Sequence, residues 1–246
     1  MAKQTGLGSA FWVDGVDVSG DINALNTIGQ PLAALDFTGI DKFAFEKQGG
    51  KKDGVMDFVS FFNFTRAHPV LSTLPLTDRL MTWALAPALG SDAATLNCKQ
   101  INYDPTRDQD GNLTLAVEGQ ANQFGLEWGL LATPGKRTDT VATTPGTGVD
   151  LGVASTSFGW QAYVHLFAFT GTSVTLTLQD SADNSTFANL TGGAFTAISS
   201  APATQRLASA SPTATVREFL RVVSSGTFSN AQFAVLFVRN QASVVF

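Results

Sequence analysis

The chain is 246 residues, 44% hydrophobic and only 14% charged, where an average soluble domain carries roughly 25% charged residues. Its formal net charge of −5 is unevenly spread: residues 1–150 hold 11 Lys/Arg and 17 Asp/Glu, a net of −6, and residues 151–246 hold 4 Arg and 3 Asp/Glu, a net of +1. The lack of any basic run argues against a conventional nucleic-acid surface, the single Cys98 excludes an internal disulfide framework or a Cys-based zinc site, and no apolar run approaches the roughly 20 residues of a membrane span.

A chain this poor in charge has two explanations. Either it is a β-rich protein with a Ser/Thr/Asn/Gln surface, or much of its surface is covered by neighbours in an assembly. The N-terminal stretch "MAKQTGLGSAFWVDG" lacks the apolar core of a signal peptide. The four N-x-S/T sequons at Asn63, Asn112, Asn184 and Asn189 are therefore expected to stay unmodified, in a chain made in a reducing cytoplasm.

In chain order, "FWVDGVDVSG" predicts a short strand and a turn. "LDFTGIDKFAFEKQGGKKDGVMDFVSFFN" predicts strands over 35–47 and 54–63, joined by the loop Gln48, Gly49, Gly50, Lys51, Lys52, Asp53 and Gly54. Phe43 and Phe45 share one face there, with Lys42 and Glu46 on or near the other, the period of a half-buried strand. "TRAHPVLSTLP" is the best helix candidate of the first half, with Thr65 as N-cap and Pro69 tolerable in the first turn. "RLMTWALA", "AATLNCKQINY" and "NLTLAVEGQ" follow as strands.

Residues 133–157, rich in Thr, Gly and Pro, read as a linker or long loop. Beyond them, "FGWQAYVHLFAFTG", "SVTLTLQDS", "EFLRVVSSG" and "AQFAVLFVR" are strands with polar turns between. The fold class is mainly β: a sandwich of two antiparallel sheets with one short flanking helix, then a C-terminal β-sandwich. The domain division is 1–150 and 155–246.

Sites of chemistry are sparse. "NYDPTRDQDGNLTLAVEGQ" (102–120) holds four acids, and with Gly111 at position 6 of a calcium loop, Asp110 and Asp108 fall at positions 5 and 3. Position 1 is then Thr106 and position 12 Val117, so the match fails at both ends, and Asp110-Gly111 between alternating runs is a hairpin turn. "ATPGKRT" lacks the spacing of a phosphate loop, since Gly129 and Gly135 enclose five residues and Arg137 stands where Ser or Thr should. His68 and His165 have no G-x-S-x-G elbow beside them and read as packing residues. Glu127, in "GLEWG", is the most suggestive single acid, and Asp180 and Asp183 in "QDSADNST" are the candidate calcium ligands, more simply a polar turn. Trp12, Trp83, Trp128 and Trp160 are dispersed and read as packing anchors.

An ordered set of segments carries a resemblance: "GVDVSGDINALN", "LDFTGIDKFAFEKQGGKKDGVMDFVSFFN", "AHPVLSTLP", "KQINYDPTRDQDGNLTLAVEGQ", "GLEWG" and "GKRTDT". Together they resemble the major tail protein of long-tailed phages of actinobacteria, over residues 11–140 and on into "FGWQAYVHLFAFTGTSVTLTLQDSADNSTF" and "REFLRV". The resemblance implies a non-enzymatic structural protein of the virion tail, made in the host cytoplasm, with no cofactor and no metal. Six copies would close a ring, rings would stack into a tube, and phage DNA would pass through the lumen without specific binding. Gln48, Gly49, Gly50, Lys51, Lys52 and Asp53 would form the inter-ring contact loop, and residues 155–246 a decoration domain facing outward. Partners would be further copies of the chain, then the tape measure, terminator and distal tail proteins, with no membrane.

Two other readings stand beside it. One is a tail-tip or decoration protein whose C-terminal sandwich binds a host-surface glycan. The other is a polysaccharide-degrading enzyme using carboxylates such as Glu127.

Overall fold

The computed structural model describes residues 5–142, 144–152 and 155–242, and nearly all of its regular structure is antiparallel β. The first elements are β1 (Ala10–Val13), β2 (Val16–Asp17), β3 (Ile22–Gly29), β4 (Leu32–Asp36), β5 (Lys47–Lys52) and β6 (Val55–Phe61). The helix α1 (Ala67–Leu71) leads to β7 (Arg79–Ala84), β8 (Asp92–Gln100), β9 (Asp104–Arg107), β10 (Leu113–Ala121) and β11 (Glu127–Leu131). Then come β12 (Arg137–Asp139), β13 (Thr144–Pro145), β14 (Val149–Asp150), β15 (Trp160–Ser181), β16 (Ala188–Ala194), β17 (Ala203–Ala208) and β18 (Phe219–Arg239). The mainly β class with one short helix is what the alternating sequence called for.

Contacts divide the chain into two compact units that interleave along the sequence. The hairpin unit comprises Asp21–Met81 and Leu96–Leu126; the ribbon unit comprises Met1–Gly20, Thr82–Thr95 and Glu127–Phe246.

In the hairpin unit β6 is central, pairing with β3 through Leu25↔Phe58 and with β10 through Val117↔Phe58. Met56 and Phe58 on β6, with Leu115 and Val117 on β10, alternate inward to a core completed by Met81, Leu96 and Cys98. The helix is shorter than its sequence suggested, and Thr65 does not cap it. Asn63 takes the local acceptor role: its Oδ1 accepts from the Thr65 amide and hydroxyl, each at 3.0 Å, and its carbonyl accepts from His68 N at 2.9 Å. Pro69 lies in the first turn, where its missing N–H costs nothing, and Ala67 and Leu71 one turn apart are buried.

The ribbon unit is organised by two long strands, β15 of 22 residues and β18 of 21, each about 70 Å at about 3.3 Å per residue. They pair from Trp160↔Arg239 to Ser181↔Phe219, with register shifts between Leu166 and Ala168 and on either side of Gly171. Sequence alone reads four separate strands here. Gly171 instead sits at a bulge and Gly226 in regular pairing opposite Val174, so the strands run on without parting. Trp160, Val164 and Leu166 before the bend share one core with Val174, Leu176 and Leu178 after it, as happens where strands turn a corner between packed layers.

Segment 133–157 is expected as a linker or long loop; residues 143, 153 and 154 lie outside the described residues, and much of the rest lies along β18. Its pieces β12, β13 and β14 pair with residues 231–233, 223–224 and 219–220, and Val149 and Leu151 join the core. Two- and three-residue strands carry too little hydrophobic alternation to be seen in sequence. Arg137, at the phosphate-loop lookalike, is spent on Asp139 through two 2.8 Å hydrogen bonds and on the Val222 carbonyl at 2.8 Å.

Candidate assembly surface

The feature least explained by a lone chain is the arm formed by β4 and β5. Among the described residues these strands pair only with each other, through Ala34↔Gly49, Leu35↔Gln48 and Asp36↔Lys47, and Asp53 N donates to Pro31 O at 3.0 Å at the base. The predicted strand over 35–47 and the loop over 48–54 are both corrected here. Lys47–Lys52 is a strand, Asp53 closes its base, and residues 37–46 are the irregular tip. Phe37 N still donates to Glu46 O at 2.9 Å, and a Gly39–Lys42 turn reverses the chain.

Phe43 and Phe45 are not half-buried. Ile40 and Phe43 are fully exposed, Phe45 is 76% and Phe37 62% exposed, and Leu32 and Leu35 about half. Among the described residues no second layer covers them. An isolated two-stranded ribbon is marginal in water, and contiguous exposed apolar surface beyond a few hundred Å² marks an interaction site. The six contact-loop candidates therefore lie in the returning strand and base of an apolar arm.

The other candidates are occupied by structural partners. Asp180 accepts from Arg217 Nη2 at 2.7 Å and from Arg217 N at 2.9 Å. Asp183 accepts from the amides of Thr186 (2.7 Å) and Ser185 (2.9 Å) and from the Ser181 hydroxyl (2.7 Å), which hold its carboxyl far below the usual carboxylate range. Both residues serve a turn and an ion pair. Among the described residues no three His, Cys, Asp or Glu side chains converge as a metal site would require.

Residues 104–121 form the β9–β10 hairpin. Across the tip Asp108 N donates to the Asn112 carbonyl at 3.0 Å, Asn112 N donates to Asp108 Oδ1 at 2.8 Å, and Gly111 takes φ +90°. Glu127 accepts a hydrogen bond from Tyr163, whose hydroxyl in turn accepts from Arg206 Nε at 3.0 Å. Burial, with the Glu127 charge beside it, pushes the Tyr163 phenol well above its usual value.

His165 is wholly enclosed. Gly15 N donates to its Nδ1 at 3.1 Å, which fixes the proton on Nε2, 2.9 Å from Thr82 Oγ1, and Thr82 meets Thr95 Oγ1 at 2.8 Å. Burial lowers the imidazole from 6.5 to about 3. Because the unfolded chain binds the proton first, this site's contribution is whole above pH 6.5 and is lost as pH falls from there toward 3. The stability difference between wild type and His165→Gln, followed by urea unfolding at pH 7, 5.5 and 4.5, is expected to shrink by on the order of 1–3 kcal/mol on acidification. An unchanged difference would contradict the neutral, buried assignment.

Two groupings escape the sequence. Trp83 and Trp128, 45 positions apart, meet edge to face with centroids 6.0 Å apart, and Trp128 is 53% exposed. In the hairpin unit His68 gathers Phe62 (4.8 Å), Phe64 (6.5 Å, stacked) and Tyr103 (5.8 Å) around it, with its Nδ1 2.5 Å from the Tyr103 hydroxyl.

The sequence finds no match among protein-family profiles or among curated proteins. Among solved structures the chain is similar to the SPP1 Dit (gp 19.1) protein, described as a paradigm of the hub adsorption apparatus in phages infecting Gram-positive bacteria. The two share 12% identity over 94% of this chain and 98% of that one, with a TM-score of 0.34. Among the described residues no helix is long and apolar enough to cross a membrane.

Proposed function

We propose that this protein is a non-enzymatic structural subunit of a phage tail, the major tail-tube protein, which closes into six-membered rings that stack around a channel for DNA. The observation that carries the assembly part is the apolar β4–β5 arm, which nothing among the described residues covers and which suits a subunit whose neighbours complete it. The tail-tube assignment rests on the ordered resemblance of residues 11–140. Gln48, Gly49, Gly50, Lys51, Lys52 and Asp53 would pass between rings with the rest of the arm. The net charge of −6 in the first 150 residues suits a lumen that DNA must traverse without adhering.

Negative-stain microscopy of the purified full-length protein tests this reading. Rings or long tubes with a central channel are expected. Protein that stays monomeric at high concentration overturns the proposal, and single rings that never stack point instead to a terminator or adaptor ring.

A further inference from the structure

We infer that the arm of one copy seats on a particular surface of a second copy: the aromatic cluster around His68 together with the acidic β9–β10 hairpin. The inference rests on the assembly reading above and supplies the receiving face, which that reading leaves open.

Both surfaces belong to the hairpin unit, and both are uncovered in the single chain. Phe64 is 75% exposed and Ile101, two residues before Tyr103, 48%. Tyr103 runs directly into β9, so the aromatic cluster is continuous with the hairpin. The arm's tip offers Phe37, Ile40, Phe43 and Phe45, which are its apolar counterpart. A large side chain buries on the order of 150–250 Å². Four at the tip therefore offer several hundred Å², a large part of the roughly 800 Å² per partner of a standard interface.

The charges fix the pairing. Within the arm, Lys42 lies 3.4 Å from Glu46 and 4.0 Å from Asp41. That leaves Lys51 and Lys52 on β5 exposed and without an ion pair among the described residues. Across residues 104–118 the hairpin carries Asp104, Asp108, Asp110 and Glu118 against Arg107 alone. Among the described residues no basic side chain pairs with Asp104, Asp108 or Asp110; Asp108 only accepts its own turn amide from Asn112 at 2.8 Å. An apolar centre flanked by opposite charges gives attraction and orientation together.

The test uses full-length protein throughout. Lys51→Glu/Lys52→Glu and Asp108→Lys/Asp110→Lys are each expected to raise at least tenfold the concentration at which assemblies form by sedimentation, with far-ultraviolet circular dichroism unchanged. The four substitutions combined are expected to bring that concentration back toward the wild-type value. In a mixture of Phe43→Cys and Phe64→Cys protein, a short bis-maleimide is expected to give a covalent dimer joining the two variants, the native Cys98 being buried. Charge variants that assemble like wild type, a combination that recovers nothing, or no joined dimer in assembled protein would each overturn the docking while leaving the tail-tube reading standing. Wild type that never assembles overturns the tail-tube reading itself.

Discussion

Replacing Ile40, Phe43 and Phe45 together by serine is expected to abolish assembly while leaving the fold of the chain intact. All three side chains stand in solvent, so the monomer loses almost no packing, and surface changes of this kind usually alter stability by less than about 0.5 kcal/mol. In an assembly the same side chains would be central anchors, where truncation costs about 2 kcal/mol or more each. Three such losses weaken association at least a thousandfold at about 1.4 kcal/mol per tenfold. Sedimentation velocity reads the assembly and a urea titration reads the fold. Variant protein that still forms rings at the wild-type concentration would remove the arm from the interface.

Gly226→Ala is expected to destabilise the ribbon unit by about 3 kcal/mol or more. Gly226 lies in β18 opposite Val174 with φ at +121°, and an added Cβ would stand 2.3 Å from the Ser173 carbonyl oxygen. Backbone rather than a flexible side chain occupies that space, so the bend must open. Gly171 on the facing strand is as tight, its added Cβ falling 2.5 Å from Phe228 Cα. Gly192 provides the control: φ is +74° with nothing within 4 Å of an added Cβ. Gly192→Ala should therefore cost only the 1–2 kcal/mol of a left-handed non-glycine residue. Equal urea midpoints for the two variants would show that the close approach at Gly226 is not the source of the loss.

The bend also shows why part of the fold was illegible in sequence. "SVTLTLQDS" and "AQFAVLFVR" announce themselves as strands because a period of two survives any environment. Gly171 and Gly226 read equally well as turns or as bulges. The choice depends on what faces each across the ladder, Phe228 for Gly171 and Val174 for Gly226, residues 57 and 52 positions away. Segment 133–157 was obscured for a related reason: two- and three-residue strands exist only because β18 offers them partners.

The candidate surface followed the same pattern. The apolar residues Phe43 and Phe45 were legible, but the stretch 48–53 read as a loop where Lys47–Lys52 is a strand. Exposure was not, because alternation over 42–46 reads as a half-buried strand whether or not the chain there is regular and whether or not another layer lies over it. The hairpin at Asp110–Gly111 was legible to its turn residue, since left-handed backbone there calls for glycine. Its acids read as ion ligands only in isolation from the strands that separate them.

By itself, then, the sequence determined the mainly β class, the turn at Gly111 and the scarcity of charge. These are local properties, set by side-chain period and backbone preference within a few residues. Tertiary structure decided that β15 and β18 bend as continuous strands, that His68 gathers Phe62, Phe64 and Tyr103, and that β4 and β5 leave the body as an uncovered arm. Each of those depends on what another part of the chain does or does not place alongside, and no local pattern records it.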